Sequence, residues 1–149
     1  MKPLNEMNLS FLSYSSNESF ARATVAAFAA QLDPTVGEIS DIKTAVSEAV
    51  TNCIIHAYKE VIGMIYIKVK LFENGRVVIR IRDRGCGIAD IEKAKEPLYS
   101  TGGEERAGLG FVVMESFMDK LRVTSTVDKG TTVVLQKDIK RKQTGKAHG

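Results

Sequence analysis

The stretch Ile79-Arg80-Ile81-Arg82-Asp83-Arg84-Gly85-Cys86-Gly87-Ile88 alternates and then breaks. Val77, Ile79 and Ile81 share one parity, and Arg80 and Arg82 share the other. Successive side chains of a strand point to opposite faces, so this is a half-buried strand that keeps its arginines outward. Asp83 falls on the apolar parity, and two glycines follow almost at once. A buried carboxylate without a partner is costly, so the strand must end on something that satisfies it.

Working outward, "MIYIKVKLFE", Asn74-Gly75 and "RVVIRIRD" form a β-hairpin with a strong turn signal. "KLRVTST" and "TTVVLQK" flank Asp128-Lys129-Gly130 as a second hairpin, and Leu9 to Tyr14 can be a first strand. "SNESFARATVAAFAAQL" reads as a helix with a Ser16 or Asn17 cap and a Pro34 stop. "EISDIKTAVSEAVTNCIIHAY" is a longer helix, and "FVVMESFMD" a short one. Residues 84–110 are loop-rich and hold six of the twelve glycines. Hairpins dominate the strand connections. The expected fold is therefore α/β, with a mixed, mostly antiparallel sheet and helices on one face, not a doubly wound parallel sheet.

Composition narrows the function classes. The 149 residues suit one domain. Apolar residues are 44% and charged residues 26%, ordinary for a soluble globular chain. No apolar run approaches the roughly 20 residues of a membrane span, and no signal peptide is visible. Cys53 and Cys86 make neither a disulfide framework nor a metal cluster. A reducing, cytoplasmic location is the expectation. Residues 137–149 hold five basic residues and one acidic, which is +4, so the net charge of +3 leaves the body near −1. The expected domain is 1–138, followed by a basic, disordered tail at 139–149. Such a tail is weak support for nucleic-acid binding, and a solvated end is the simpler reading. No direct nucleic-acid contact and no membrane contact are expected.

The longer helix carries a polar line. At roughly 100° per residue, Ile42, Val46, Ala49, Val50, Cys53, Ile54 and Ala57 fill one arc, the core face. Glu48, Asn52 and His56 stack on the other side at intervals of four. A solvated face would also produce this line. Asn52, however, is a poor helix-interior residue whose amide needs a partner, and Ile55 lies within the same arc. An acid and an amide one turn apart can serve a divalent ion and a nearby proton acceptor; His56 reads as structural. Further on, Gly108 and Gly110 directly precede the short helix, so a phosphate could meet backbone amides and a helix N-terminus there. A tight turn would look the same. Upstream, Thr101 to Arg106 is polar and lid-like, and Arg106 could grip a terminal phosphate.

Taken in order, these pieces resemble the GHKL ATPase/kinase superfamily. They are Glu48-x-x-x-Asn52, Asp83-x-Gly85-x-Gly87, Gly108-x-Gly110 and Gly130-Thr131. "NESFARATVAAF", "QLDPT", "IKTAVSEAVTNCIIHAY" and "MESFMD" are similar to its bacterial sporulation anti-sigma-F branch of small serine kinases, over about residues 5–138. The resemblance implies a two-layer Bergerat-type sandwich that uses ATP and Mg²⁺. It implies Asp83, with Thr131 nearby, as the reader of the adenine amino group, and Gly85 and Gly87 as close passages beside the base and ribose. It implies Asn52 as the Mg²⁺ ligand, Glu48 as general base, and Arg106, Gly108 and Gly110 as the phosphate grip. The implied partners are a sigma factor, an anti-anti-sigma protein phosphorylated on serine, and a second copy in a homodimer. Arg22, an isolated charge among the alanines of the first helix, is the candidate partner contact. An alanine-rich core helix is the alternative reading of those residues. The lid departs from the family: "STGGEERAGLG" lacks a Thr-Lys-Pro-type stretch. Two other readings follow, a stress-response anti-sigma kinase and an ATP-dependent binding switch without kinase activity.

Overall fold

The computed structural model describes residues 1–96 and 104–140, without the side chains of 104–107. Five strands, β1 (Asn5–Leu12), β2 (Met64–Leu71), β3 (Arg76–Asp83), β4 (Lys120–Thr126) and β5 (Gly130–Asp138), form one sheet. Its order is β1-β2-β3-β5-β4, and every pairing is antiparallel. The helices are α1 (Asn17–Ala29), α2 (Val36–Asn52), the single turn α3 (Ile91–Ala94) and α4 (Glu104–Phe117).

Alternation sets the layers. Ile67 pairs with Ile81, Val69 with Ile79, and these in turn with Val133 and Leu135. One face of the sheet is thus continuously apolar, and these residues are buried. Lys68, Lys70, Arg80 and Arg82 occupy the other parity and stay accessible. Against the apolar face α2 contributes Ile42, Ala45, Val46, Ala49 and Val50, all essentially inaccessible. The helix lies between α1 and α4. A one-residue slip in any central strand would bring arginines and lysines into this core, so the register is strongly specified. Asp83 closes β3 opposite Ile65, at the end where the sheet meets the C-terminal half of α2.

The ends of the elements depart from the sequence reading in instructive ways. Strand β1 starts at Asn5 rather than Leu9, because pairing with β2 runs from Asn5–Leu71 to Leu12–Met64 and outweighs its polar composition. Ser16 makes no side-chain cap on α1; Asn17 instead donates to the Leu12 carbonyl. Helix α2 starts two residues early, at Val36. A capping box explains this: Thr35 accepts from the Glu38 N–H at 3.1 Å, and Glu38 accepts from the Thr35 N–H at 2.8 Å. Partial burial pushes the Glu38 carboxyl up. The N–H groups of Lys140 and Thr35, the Thr35 hydroxyl and the Lys137 charge outweigh it and hold the group below its ordinary value of 4.5. Lys137, with a side chain 12% exposed, ties three elements, donating to Asp41 on α2 at 2.9 Å and to the last-turn carbonyl of Phe117 on α4 at 2.7 Å.

Two substitutions separate end effects from core effects. Thr35→Ala should cost about 1 kcal/mol in urea unfolding, the usual loss for an N-cap hydroxyl. Ile79→Ala, which leaves a void at the centre of the sheet, should cost about 2–5 kcal/mol. A folded-state carboxyl held below its unfolded value stabilises above the unfolded value and loses that contribution as pH falls through the lowered one. The Thr35→Ala deficit should therefore shrink in acid below the ordinary Glu38 range. A deficit independent of pH would mean that the Thr35 hydroxyl does not help to lower the Glu38 carboxyl.

Candidate functional site

Helix α2 does not continue as an α-helix past Asn52. Residues Cys53–Ala57 form a π-helical turn, with the Tyr58 N–H reaching the Cys53 carbonyl at 3.0 Å. Such turns widen the helix and redirect carbonyls, and they recur at functional sites. Here the redirected groups hold the glycine loop that follows β3. The Ala57 carbonyl accepts from the Cys86 N–H at 3.1 Å, and the His56 carbonyl from the Cys86 thiol at 3.3 Å. Gly85 packs so closely that an added Cβ would lie 2.4 Å from the Ala57 oxygen. Tyr58 braces the same junction, its hydroxyl accepting from the Arg84 N–H at 2.6 Å and donating to the Met64 carbonyl at 2.6 Å. Gly87 has φ of +76° and abuts the Thr126 carbonyl, a conformation that a side chain would strain.

These contacts leave a cavity of about 440 Å³ between α2, the glycine loop, α4 and β5. Asn52, Asp83, Gly87 and Thr131 line it, together with Cys53 and Phe111. Asp83 is 5% exposed. Its Oδ1 accepts from the Gly85 N–H at 2.9 Å and the Thr131 N–H at 3.2 Å; its Oδ2 accepts from the Cys53 thiol at 3.5 Å. Burial pushes its carboxyl above the ordinary value, and those donors act against the shift. Burial, then the Asp83 charge, raises the Cys53 thiol well above 9.0. Thr131 is buried, its hydroxyl sharing a 2.7 Å hydrogen bond with Ser125. The inward carboxylate is therefore anchored by backbone on one oxygen and open to a further donor on the other.

The remaining predicted residues sit nearby. Gly108 and Gly110 lie inside α4 instead of preceding it, which corrects the expected helix start at Phe111. The physical reason is packing. A Cβ on Gly108 would meet the Glu96 carbonyl at 2.4 Å, and one on Gly110 would meet Asn52 and Glu48 side-chain atoms at 3.2 Å. The two glycines let α4 approach α2 and α3, and Gly110 marks where Glu48 and Asn52 converge. The Asn52 Nδ2 is buried with no hydrogen-bond partner among the described residues. An orphaned amide next to a carboxylate, beside a cavity, suits a ligand that supplies oxygens. Glu48 opens instead onto a polar groove between α1 and α2, shared with Arg22, Lys43 and Thr44. Arg22 is 3.5 Å from Glu18 and donates to Ser47 at 3.4 Å, and Ser47 donates to Glu18. Thr101 to Gly103 of the predicted lid and the Arg106 side chain lie outside the described residues.

Sequence reading missed Cys53, Tyr58 and Ser125. Cys53 and Tyr58 carry no motif, and their roles come from the π turn, which no periodicity announces. No group of three or more His, Cys, Asp or Glu among the described residues could hold a metal ion. No described helix is long and apolar enough to cross a membrane.

Known proteins resemble this chain in sequence and in fold. Residues 15–137 match the histidine kinase-like ATPase domain family. An anti-sigma F factor of Caldanaerobacter subterraneus subsp. tengcongensis is 61% identical over 138 residues, which are 92% of this chain and 96% of that protein. The anti-sigma F factor of Priestia megaterium is 56% identical over 91% of this chain and 93% of its own length. Among solved structures, the RsbU and RsbW domains of a Mycobacterium tuberculosis protein superpose with a TM-score of 0.69 at 22% identity, over 94% of this chain and 34% of that one. A blue-light activated histidine kinase of Erythrobacter litoralis gives 0.57 at 17% identity, over 82% and 42%. These two likenesses are of fold. On its sequence relatives and its ATPase domain match, the chain belongs to the anti-sigma F factor family of the histidine kinase-like ATPases.

Proposed function

We propose that this protein binds ATP with Mg²⁺ in the cavity, phosphorylates a serine of an anti-anti-sigma protein, and holds a sigma factor inactive. One observation carries the nucleotide reading. Asp83 is buried at the cavity wall with Oδ1 taken by two backbone donors and no backbone donor on Oδ2. An exocyclic amino group of adenine supplies a strong donor to an oxygen that otherwise receives only the Cys53 thiol at 3.5 Å, while the two backbone N–H groups keep the carboxylate oriented. Gly85 and Gly87 bring the backbone close to the base and ribose.

The donor set also fits a nucleotide-borne metal ion. Mg²⁺ keeps several waters and is held by one or two protein oxygens plus phosphates. Asn52 provides one such oxygen, and its orphaned Nδ2 marks an amide without an internal partner. When bound, the ion neutralises charge on the phosphates. Glu48, beside Asn52 at the Gly110 contact, faces the α1–α2 groove where an acceptor protein could present a serine. In the transfer, the serine oxygen bonds to the γ-phosphorus, the bond to the β-phosphate oxygen breaks, and ADP leaves with that electron pair. Glu48 takes the serine proton or orients the hydroxyl. Arg106 would hold the phosphates beside Gly108 and Gly110, which keep side chains off that part of α4, and Arg22 would meet the partner from the rim of the groove. The protein is proposed to act as a cytoplasmic homodimer, with sigma-factor retention following from the names of its relatives.

Asp83→Asn should weaken ATP binding at least about tenfold with the fold intact, since hydrogen bonds to charged groups are worth about 1.5–3 kcal/mol. Calorimetry checks this, and unchanged affinity would remove Asp83 from base reading. Glu48→Gln should keep nucleotide and sigma-factor binding while slowing transfer from labelled ATP to the anti-anti-sigma protein by about 10²–10⁴-fold. Asn52→Ala should impair Mg²⁺-dependent nucleotide binding as well. Tight ATP and sigma-factor binding by the unmodified protein, with no label transferred, would replace the kinase with a binding switch.

A further inference from the structure

The base pocket contains one polar contact that no motif accounts for. Cys53 is 4% exposed at the start of the π turn, and its thiol donates to Asp83 Oδ2. It is the one hydrogen-bond donor on that oxygen among the described residues. Every other donor to this carboxylate is backbone and lands on Oδ1.

We propose that Cys53 is a specificity-determining residue of the nucleotide pocket, whose thiol holds Asp83 as an acceptor for an amino-bearing purine and against an oxo-bearing one. The inference rests on the reading of the cavity as an ATP site. The chemistry turns on one proton. An ionised carboxylate accepts from the amino group at position 6 of adenine. The oxo group of guanine at that position is itself an acceptor, and two facing acceptors repel. A protonated carboxyl reverses the preference, because its O–H can donate to the oxo group. With Oδ1 engaged by two N–H groups, the proton would sit on Oδ2, where the thiol hydrogen already points.

The surroundings make that donor count. Burial disfavours the Asp83 charge, and among the described residues three donors oppose it: the Gly85 and Thr131 N–H groups and the Cys53 thiol. No cation among the described residues is in contact with it. Arg84, next in sequence, lies over the Tyr66 ring at 5.0 Å instead. On β2 the facing residue is the apolar Ile65, and on β5 it is Thr131. Tyr58, after the π turn, has its hydroxyl engaged by the Arg84 N–H and the Met64 carbonyl. His56, Lys59, Asp90 and Asp128 line the same cavity without a bond to the carboxylate. Removing the thiol leaves two donors against the same burial, so protonation begins at higher pH and the acceptor role weakens first in mild acid.

The test compares ATP and GTP affinities of the full chain by calorimetry between pH 5.5 and 8.5. The unmodified protein is set against Cys53→Ala, Cys53→Val and Cys53→Ser. Cys53→Val fills the site, with one methyl group more, and lacks the donor, so it also covers the case in which the void of Cys53→Ala prevents folding. Both should lower the ATP-over-GTP preference by about three- to tenfold, the range of one neutral-donor hydrogen bond, with the larger loss at low pH. Cys53→Ser, which retains a donor, should restore the preference and its pH profile. A preference preserved in Cys53→Val at every pH would overturn the proposal while leaving the ATP reading intact. Equal loss in Cys53→Ser would do the same, because it would assign the effect to packing. No preference for ATP over GTP in the unmodified protein would overturn both.

Discussion

The site is organised around one buried carboxylate. Asp83 lies on the parity that faces the core, and its Oδ1 is held by two N–H groups from different parts of the chain, Gly85 in the following loop and Thr131 in β5. Those bonds make its burial tolerable, and they also couple the end of β3 to the glycine loop and to the second hairpin. Gly130 is part of the same arrangement. With φ of +125° it passes so near that a Cβ would meet the Asp83 carbonyl oxygen at 2.2 Å. A side chain there would push β5 away from the carboxylate and open the cavity wall.

The π turn performs the matching task on the helical side. An uninterrupted α-helix would use the carbonyls of Cys53 to Ala57 internally or lose them at its end. Widening the turn points the His56 and Ala57 carbonyls at Cys86, so the glycine loop is hydrogen-bonded to the helix layer instead of lying loose over the sheet edge. Tyr58 then fills the corner between β2, β3 and the loop, bonded to both the Arg84 N–H and the Met64 carbonyl. Cavity shape follows from these local captures, not from the sheet alone.

Helix α4 brings the second half of the site into place. Gly110 removes a side chain that would otherwise press on α2, and Gly108 one that would press on the backbone at the end of α3. Glu48 and Asn52 meet at Gly110, and the Asn52 amide is left buried without a partner. A buried polar atom in that condition costs stability of order 1–3 kcal/mol, a cost that an acceptor oxygen of a ligand would offset. Lys137 links the same layers from the other end of the core, joining β5 to α2 and to the last turn of α4.

By itself the sequence determined the layers. Alternation in 64–71 and 76–83 and the spacing of apolar residues along α2 are local signals with short physical causes, and the structure follows them, while the turn at Asn74-Gly75 takes in Glu73 as well and so sets Phe72 opposite Arg76. The inward parity of Asp83 was legible for the same reason, since a period of two leaves no ambiguity about which face a residue occupies. Element ends were less legible. The start of β1 depends on its β2 partner, and the Thr35–Glu38 capping box, though written in the sequence, competes with the polar residues around it. What only the tertiary structure decided is how distant segments meet: the helical setting of Gly108 and Gly110, the π turn after Asn52, and the thiol of Cys53 against Asp83. Each depends on close approach between elements far apart in the chain, and close approach is a property of packed surfaces that no local period or propensity encodes.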